Sequence, residues 1–341
     1  MRAGLAIAVA MLLAGAAVAL AVNRDPSPED AARSAAEGFL ERYVEDDGRV
    51  VRHDQGGDTV SEGQAYALLL AAATGDEQRF AQVWSWTRAH LRRPDGMLAW
   101  RWAGGRVADP QPAADADLDA ARALLVAAGR FGEPRYRAEG RALGEAIARH
   151  STTQVGGRTV LVAGPWARAD AVAAPSYWSP RSFAALGLRD LEASSRRLTL
   201  RLTESGLPPD WAQVHDWGVV PTGPPGGGEP GYSYDAVRTP VRLAESCDPA
   251  DHRLAARAWP RLRTRPGAPE RALDGTPRST IEHPSALAGA AAAAHAAGDR
   301  EAAAQLLDRA TELDERHPSY YGAAWVALTR TMLDTDELGR C

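Results

Sequence analysis

Ser61-Glu62-Gly63-Gln64-Ala65-Tyr66-Ala67-Leu68-Leu69-Leu70-Ala71-Ala72-Ala73-Thr74, broken by Gly75-Asp76 and resumed as Glu77-Gln78-Arg79-Phe80-Ala81-Gln82-Val83-Trp84, decides the class of fold. Its apolar positions recur at spacings of three and four, the period of a helix face. Ser61 with Gln64 three residues later reads as a capping box, and Asp76 as the cap of a second helix. The unit is helix, short turn, helix.

The same period continues along the chain beyond residue 25. Helices are expected over 28–44, 61–74, 76–92, 115–131, 134–150, 179–187, 188–205, 231–247, 250–262, 283–297, 299–314 and 318–333. About twelve helices with very little strand make an all-α body. Gly- and Pro-rich loops interrupt them at 93–114, 151–175, 208–230 and 264–282, and long loops on a helical scaffold tend to hold sites. Each loop is bounded by apolar helices, so a single catalytic domain over 26–335 is expected rather than two. The pair within 288–314 resembles one helical-hairpin repeat, short of the three a solenoid needs.

Composition bounds the class. Among 341 residues, 45% are hydrophobic and 24% charged, which excludes disorder and multi-span membrane architectures. The net charge of -5 arises from 44 acidic and 39 basic residues mixed along the chain, with no basic stripe for nucleic acid. All the basic residues are arginine, a compositional bias with little functional weight. Met1-Arg2, an uncharged apolar run from Ala3 to Val22 and Ala19-Leu20-Ala21 read as a secretory signal over 1–22, or a single-pass membrane anchor facing the protein outward. The expected location is extracytoplasmic. Cys247 and Cys341 allow one bridge there.

Three acidic clusters stand near expected helix starts: Ser61-Glu62-Gly63-Gln64, Asp115-Ala116-Asp117-Leu118-Asp119, and Tyr234-Asp235-Ala236-Val237-Arg238. Each has a structural reading. Glu62 suits the positive end of a helix dipole, Asp115 can cap its helix, and Asp235 with Arg238 makes an i,i+3 pair. The Asp115 cluster is no EF-hand, because Ala120 stands where glycine is required. Metal, nucleotide and serine-nucleophile motifs are absent, so neither metal nor cofactor is expected. Ten tryptophans outnumber four phenylalanines. Trp84, Trp86, Trp259 and Trp325 read as core, whereas Trp100, Trp102, Trp166, Trp178, Trp211 and Trp217 lie in or beside long loops, where aromatics also mark binding surfaces.

Taken in order, the blocks Val60-Ser61-Glu62-Gly63-Gln64-Ala65-Tyr66-Ala67, Ala113-Ala114-Asp115-Ala116-Asp117-Leu118-Asp119, Pro175-Ser176-Tyr177 and Tyr234-Asp235-Ala236-Val237-Arg238 resemble glycoside hydrolase family 8. Leu207-Pro208-Pro209-Asp210-Trp211 fits the same pattern. The resemblance spans nearly the whole chain after the apolar run. It implies an (α/α)6 barrel and an inverting, endo-acting enzyme on a β-1,4-linked glucan, cellulose-like or mixed-linkage, working as a monomer. It implies Glu62 as general acid, Asp235 as general base and Asp115 as a carboxylate at the cleavage point. Arg238, Tyr177, Trp100, Tyr234 and Asp117 would then contact or orient substrate. The chain departs from the family pattern at Ala114, usually Ser or Thr, and at Ala120, usually larger. Chitosan or xylan as substrate, with Glu229 the obvious candidate for an amino sugar, and a non-catalytic polysaccharide-binding relative are the alternatives.

One tension follows. A helix start pushes Glu62 toward ionisation, yet a general acid must keep its proton. Asp115 is the expected counterweight, and Arg238 the group that keeps Asp235 charged.

Overall fold

The computed structural model describes residues 26–341. The expected signal or anchor over 1–22 lies outside the described residues. Helix α1 (Pro28–Tyr43) is capped by Ser27, whose hydroxyl accepts from the Asp30 amide at 3.1 Å. Next come α2 (Ser61–Thr74), ended by Gly75, and α3 (Glu77–His90), capped by Asp76 at 2.9 Å from the Arg79 amide. The chain continues with α4 (Ala114–Arg130), α5 (Pro134–His150), α6 (Pro180–Leu186) and α7 (Arg189–Leu202). It finishes with α8 (Arg238–Ala244), α9 (Pro249–Ala256), α10 (Trp259–Leu262), α11 (Pro284–Ala296), α12 (Arg300–Arg316) and α13 (Tyr320–Asp334).

Burial separates these helices into two rings. α2 and α11 are apolar nearly all round and almost wholly buried, whereas α5, α7 and α12 bury one stripe. Contacts close the inner ring: α2 packs on α4, α4 on α6, α6 on α8, α8 on α11, α11 on α13, and α13 returns to α2. Outer helices α1, α3, α5, α7, α9 and α12 cover them. The fold is an (α/α)6 barrel, as the resemblance implied.

A ladder of buried ion pairs sets the register between two inner helices. Asp115 pairs with Arg238, Asp119 with Arg242 and Arg122 with Glu245, each pair separated by 123 residues. A constant offset requires α4 and α8 to run parallel, with the three rungs one turn apart on one face. Removing one partner of such a pair strands a buried charge at a cost of about 3–5 kcal/mol.

The structure differs from the sequence expectation in four places. The helix expected over 231–247 begins only at Arg238, because Ser233–Ala236 is held in a turn by a carboxylate described below. The 250–262 segment divides into α9 and α10. The Ser61 and Gln64 capping box does not form: Val60 occupies the cap position, and buried Gln64 instead accepts from the Val50 amide at 2.6 Å and donates to Thr87 Oγ1 at 2.8 Å.

The fourth difference is that loops expected to be irregular carry small antiparallel sheets. These are β1 (Thr59–Val60), β2 (Arg101–Ala103) and β3 (Arg106–Asp109); β4 (Thr152–Val155) with β5 (Arg158–Leu161); and β6 (Val172–Ala173), β7 (Trp211–His215) and β8 (Gly218–Thr222). Gly104-Gly105, at φ +58° and +76°, makes the β2–β3 hairpin possible, since that two-residue turn needs two left-handed residues.

Cys247 and Cys341 form a disulfide that ties the end of α8 to the chain's last residue across a separation of 94. In the chain-entropy picture, closing a loop of that size in the unfolded chain is worth roughly 4–5 kcal/mol.

Candidate active site

Because the inner helices run parallel where the ladder measures them, their N-terminal ends meet at one end of the barrel. Glu62 is the second residue of α2, Asp115 the second of α4 and Arg238 the first of α8. Three clusters far apart in sequence therefore converge on one site.

Arg238 is its hub. Nη1 donates to Asp115 Oδ2 at 2.6 Å and, more weakly, to the Tyr66 hydroxyl at 3.4 Å. Nη2 donates to Asp235 Oδ1 at 2.5 Å and to Ser176 Oγ at 3.2 Å. The guanidinium stands 5.2 Å from the Tyr177 ring centre and 5.8 Å from that of Trp325. Only 3% of Arg238 is exposed, and its donors are committed to the two carboxylates, in keeping with the orienting role expected of it beside Asp235. The expected i,i+3 pair with Asp235 forms, but from the turn that precedes α8 and not within the helix, and Asp235 keeps 37% of its side chain accessible.

Glu62 is partly accessible, with Oε1 accepting from Trp100 Nε1 at 3.1 Å. Burial first, and the Asp115 charge second, push its carboxyl up to about 7. Helix-start amides, Arg238 and Trp100 oppose the shift without reversing it. The dipole loses to desolvation, and Asp115 acts in the expected direction. Asp235 is also raised by burial, against the pull of Arg238.

Tyr177 feels all three acids at once. Its phenol is pushed well above its ordinary value by burial and by the charges of Asp115, Asp235 and Glu62 together. Tyr234, the residue before Asp235, stands edge-on to His283 at 5.1 Å, and its carbonyl accepts from the Tyr321 hydroxyl at 2.6 Å. Trp100 reaches the site through Glu62.

Three residues sit differently from expectation. Asp117 is fully buried and cannot contact substrate; its Oδ1 accepts from the Leu98 amide at 2.9 Å, and burial without a counter-ion pushes its carboxyl well above its ordinary value. It braces the strand end that carries Trp100. Trp178, grouped with the binding-loop tryptophans, is 2% exposed and donates to the Leu161 carbonyl, so it is core. Asp115 does not cap α4, whose cap position is Ala113; its Oδ2 is committed to Arg238. Ala114 and Ala120 are wholly buried, so the family departures lie in packed interior.

Sequence reasoning missed Asp210 as a working group. This buried carboxylate accepts from the Ser233 amide at 2.9 Å, the Ser233 hydroxyl at 2.7 Å and the Ala236 amide at 2.7 Å. It holds the turn on which Asp235 stands, and only its place within Leu-Pro-Pro-Asp-Trp signalled it. Gly289 of α11 supports the same turn from behind: a Cβ there would lie 2.3 Å from the Val237 carbonyl oxygen. Tyr66, Ser176 and Tyr321 were likewise unassigned, because nothing in a helical pattern says which residue points along the barrel axis.

A family model for Glycosyl hydrolases family 8 matches residues 6–332. The chain belongs to that family. As a family 8 glycosyl hydrolase it is an enzyme that cleaves glycosidic bonds. A probable endoglucanase from Novacetimonas hansenii is 34% identical over 236 residues, 64% of this chain and 68% of that protein. An endoglucanase from Cellulomonas uda is 30% identical over 258 residues, 70% of this chain and 71% of that one. The solved endo-beta-1,4-glucanase CMCax from Acetobacter xylinum superposes with a TM-score of 0.73 at 26% identity, covering 90% of this chain and 98% of that one. A beta-1,3-1,4-glucanase from Paenibacillus shares the fold at a TM-score of 0.79 and 18% identity.

Proposed function

We propose that this family 8 glycosyl hydrolase is an endo-β-1,4-glucanase that hydrolyses cellulose-like or mixed-linkage β-glucan with inversion. One observation carries the reading: Glu62, whose carboxyl is held up to about 7 with the Asp115 charge contributing, and Asp235 belong to one network in which Arg238 pairs with both Asp115 and Asp235. Inversion needs one protonated acid and one ionised base on opposite faces of the sugar. Glu62 gives its proton to the glycosidic oxygen as the bond to C1 breaks. Asp235 takes a proton from the water that attacks C1 from the other side. Burial and the Asp115 charge keep Glu62 protonated, and the guanidinium shared by Asp115 and Asp235 pulls the base toward its charged form and aims it.

Proton NMR of the first product tests the stereochemistry. An α-anomer released from a β-linked chain is expected, and a β-anomer would remove the two-carboxyl inverting scheme.

The pH dependence follows from the same site. Glu62 works protonated, so kcat should fall as pH rises through about 7. Initial rates on carboxymethylcellulose across pH 4 to 9 check it; a flat profile above neutrality would contradict the assignment.

The relatives named above support glucan over other polymers. Glu229, the chitosan candidate, has a side chain 84% exposed and already faces Arg278 at 3.4 Å, which weakens that alternative. Rates on barley glucan, xylan and chitosan rank the substrates. We also infer that the enzyme acts outside the cytoplasm as a monomer. The Cys247–Cys341 bridge supports an oxidising compartment. Among the described residues no helix is long and apolar enough to cross a membrane.

A further inference from the structure

We propose that the outward face of β7, from Trp211 to Trp217, is a second glycan-binding platform that takes a β-glucan chain beyond the catalytic cleft. The proposal rests on the reading of the substrate as a β-linked polysaccharide.

Strand alternation defines the face. Ala212 and Val214 point into the core at 0% and 3% exposure, so Trp211, Gln213 and His215 point the other way. Across the ladder they neighbour Thr222, Val220 and Gly218 of β8. The row begins at the catalytic site: the Trp211 ring lies 6.5 Å from Tyr177, which sits beside Arg238, and 6.3 Å from Trp166. It runs outward for four residues, roughly 13 Å of strand.

Trp217 ends the row. It is 75% exposed, the highest value among the large exposed hydrophobic residues, and its indole lies flat on the His215 imidazole at 4.8 Å with 3° between the planes. One face of the indole is supported and the other is open. Arg158 donates to the carbonyls of His215 at 3.2 Å and Asp216 at 2.7 Å, so the hairpin tip is clamped to the β4–β5 hairpin before anything binds. A rigid aromatic surface gives contact area at little cost in ordering.

The chemistry of the row selects the occupant. Trp217 is flanked in sequence by the polar Asp216 and by Gly218, and among the described residues the other large hydrophobic side chains that are exposed number four: Val107, Trp166, Leu200 and Ile281. Flat aromatic faces alternating with amide and imidazole groups match a pyranose chain, which presents apolar ring faces and hydroxyl edges by turns. Continuity with Trp211 makes that chain the one bound in the cleft.

Native affinity electrophoresis through carboxymethylcellulose or barley glucan tests the platform, with all proteins carrying Glu62→Gln so that the gel is not digested. Trp217→Ala should weaken retention roughly 3- to 10-fold, the scale of one aromatic stacking contact, and His215→Ala should weaken it less. In the otherwise unaltered enzyme, Trp217→Ala should raise KM on the polymer while kcat, and kcat/KM on cellotetraose, stay unchanged. Retention of Trp217→Ala equal to that of its parent, no retention of the parent by either glucan, or an equal loss on tetramer and polymer would each overturn the proposal. Lost retention in Trp217→Ala together with no hydrolysis by the unaltered enzyme would uphold the platform and reject the glucanase reading, so the two failures are distinguishable.

Discussion

Glu62→Gln should lower kcat on β-glucan by about 10²- to 10⁴-fold, the usual contribution of a general acid. Glutamine is nearly isosteric and can still accept from Trp100 Nε1, so the site keeps its shape and loses only its proton. The deficit should therefore depend on the leaving group. An aryl β-cellobioside whose phenolate departs unprotonated should be cleaved at close to the rate of the unaltered enzyme. An equal loss on both substrates would point to damaged folding or a misassigned acid. Stability supplies an independent reading. A carboxyl whose pKa is raised in the folded state stabilises the fold below its unfolded value, and that stability is lost as pH rises through about 7. Glutamine cannot ionise, so the variant should have the higher Tm at pH 8 and an unchanged Tm at pH 4. A lower Tm at pH 8 would contradict burial as the cause of the shift.

Asp235→Asn should cost a comparable factor, on the order of 10²–10⁴ in kcat, and with a different signature. Asparagine cannot take the proton of the attacking water, so activated leaving groups give no relief. Azide, which attacks without losing a proton, should restore turnover and yield the α-glycosyl azide. Arg238 remains paired with Asp115 at 2.6 Å, and the turn remains held by Asp210, so thermal stability should change little. Substitution of Asp115 is different in kind, because it removes the fully buried partner and leaves the buried guanidinium only the more exposed Asp235. A residual rate within tenfold of the unaltered enzyme, or an azide effect identical in both proteins, would remove Asp235 from the base position.

The helices were legible because a periodic apolar pattern is a local property: α2, α3, α5 and α12 begin and end within a few residues of expectation. The segment around Asp235 was not, since its amides are claimed by Asp210 from another loop and no local propensity encodes that competition. Gln64 misled for the same reason. Its three-residue spacing from Ser61 imitates a cap, but its amide group is satisfied by Val50, Thr87 and Gly48, which only the packed barrel brings near. Asp117 shares a helix start with Asp115, yet the pitch of α4 turns one toward Leu98 and the other toward Arg238.

By itself the sequence determined an all-helical body, the family and the residue types able to exchange protons, because periodicity, order of motifs and side-chain chemistry are carried by the chain alone. Only the tertiary structure decided which acids face a common space, which are sealed in the core, and how strongly each holds its proton. Those properties depend on distance and desolvation, and neither exists until the inner helices close their ring.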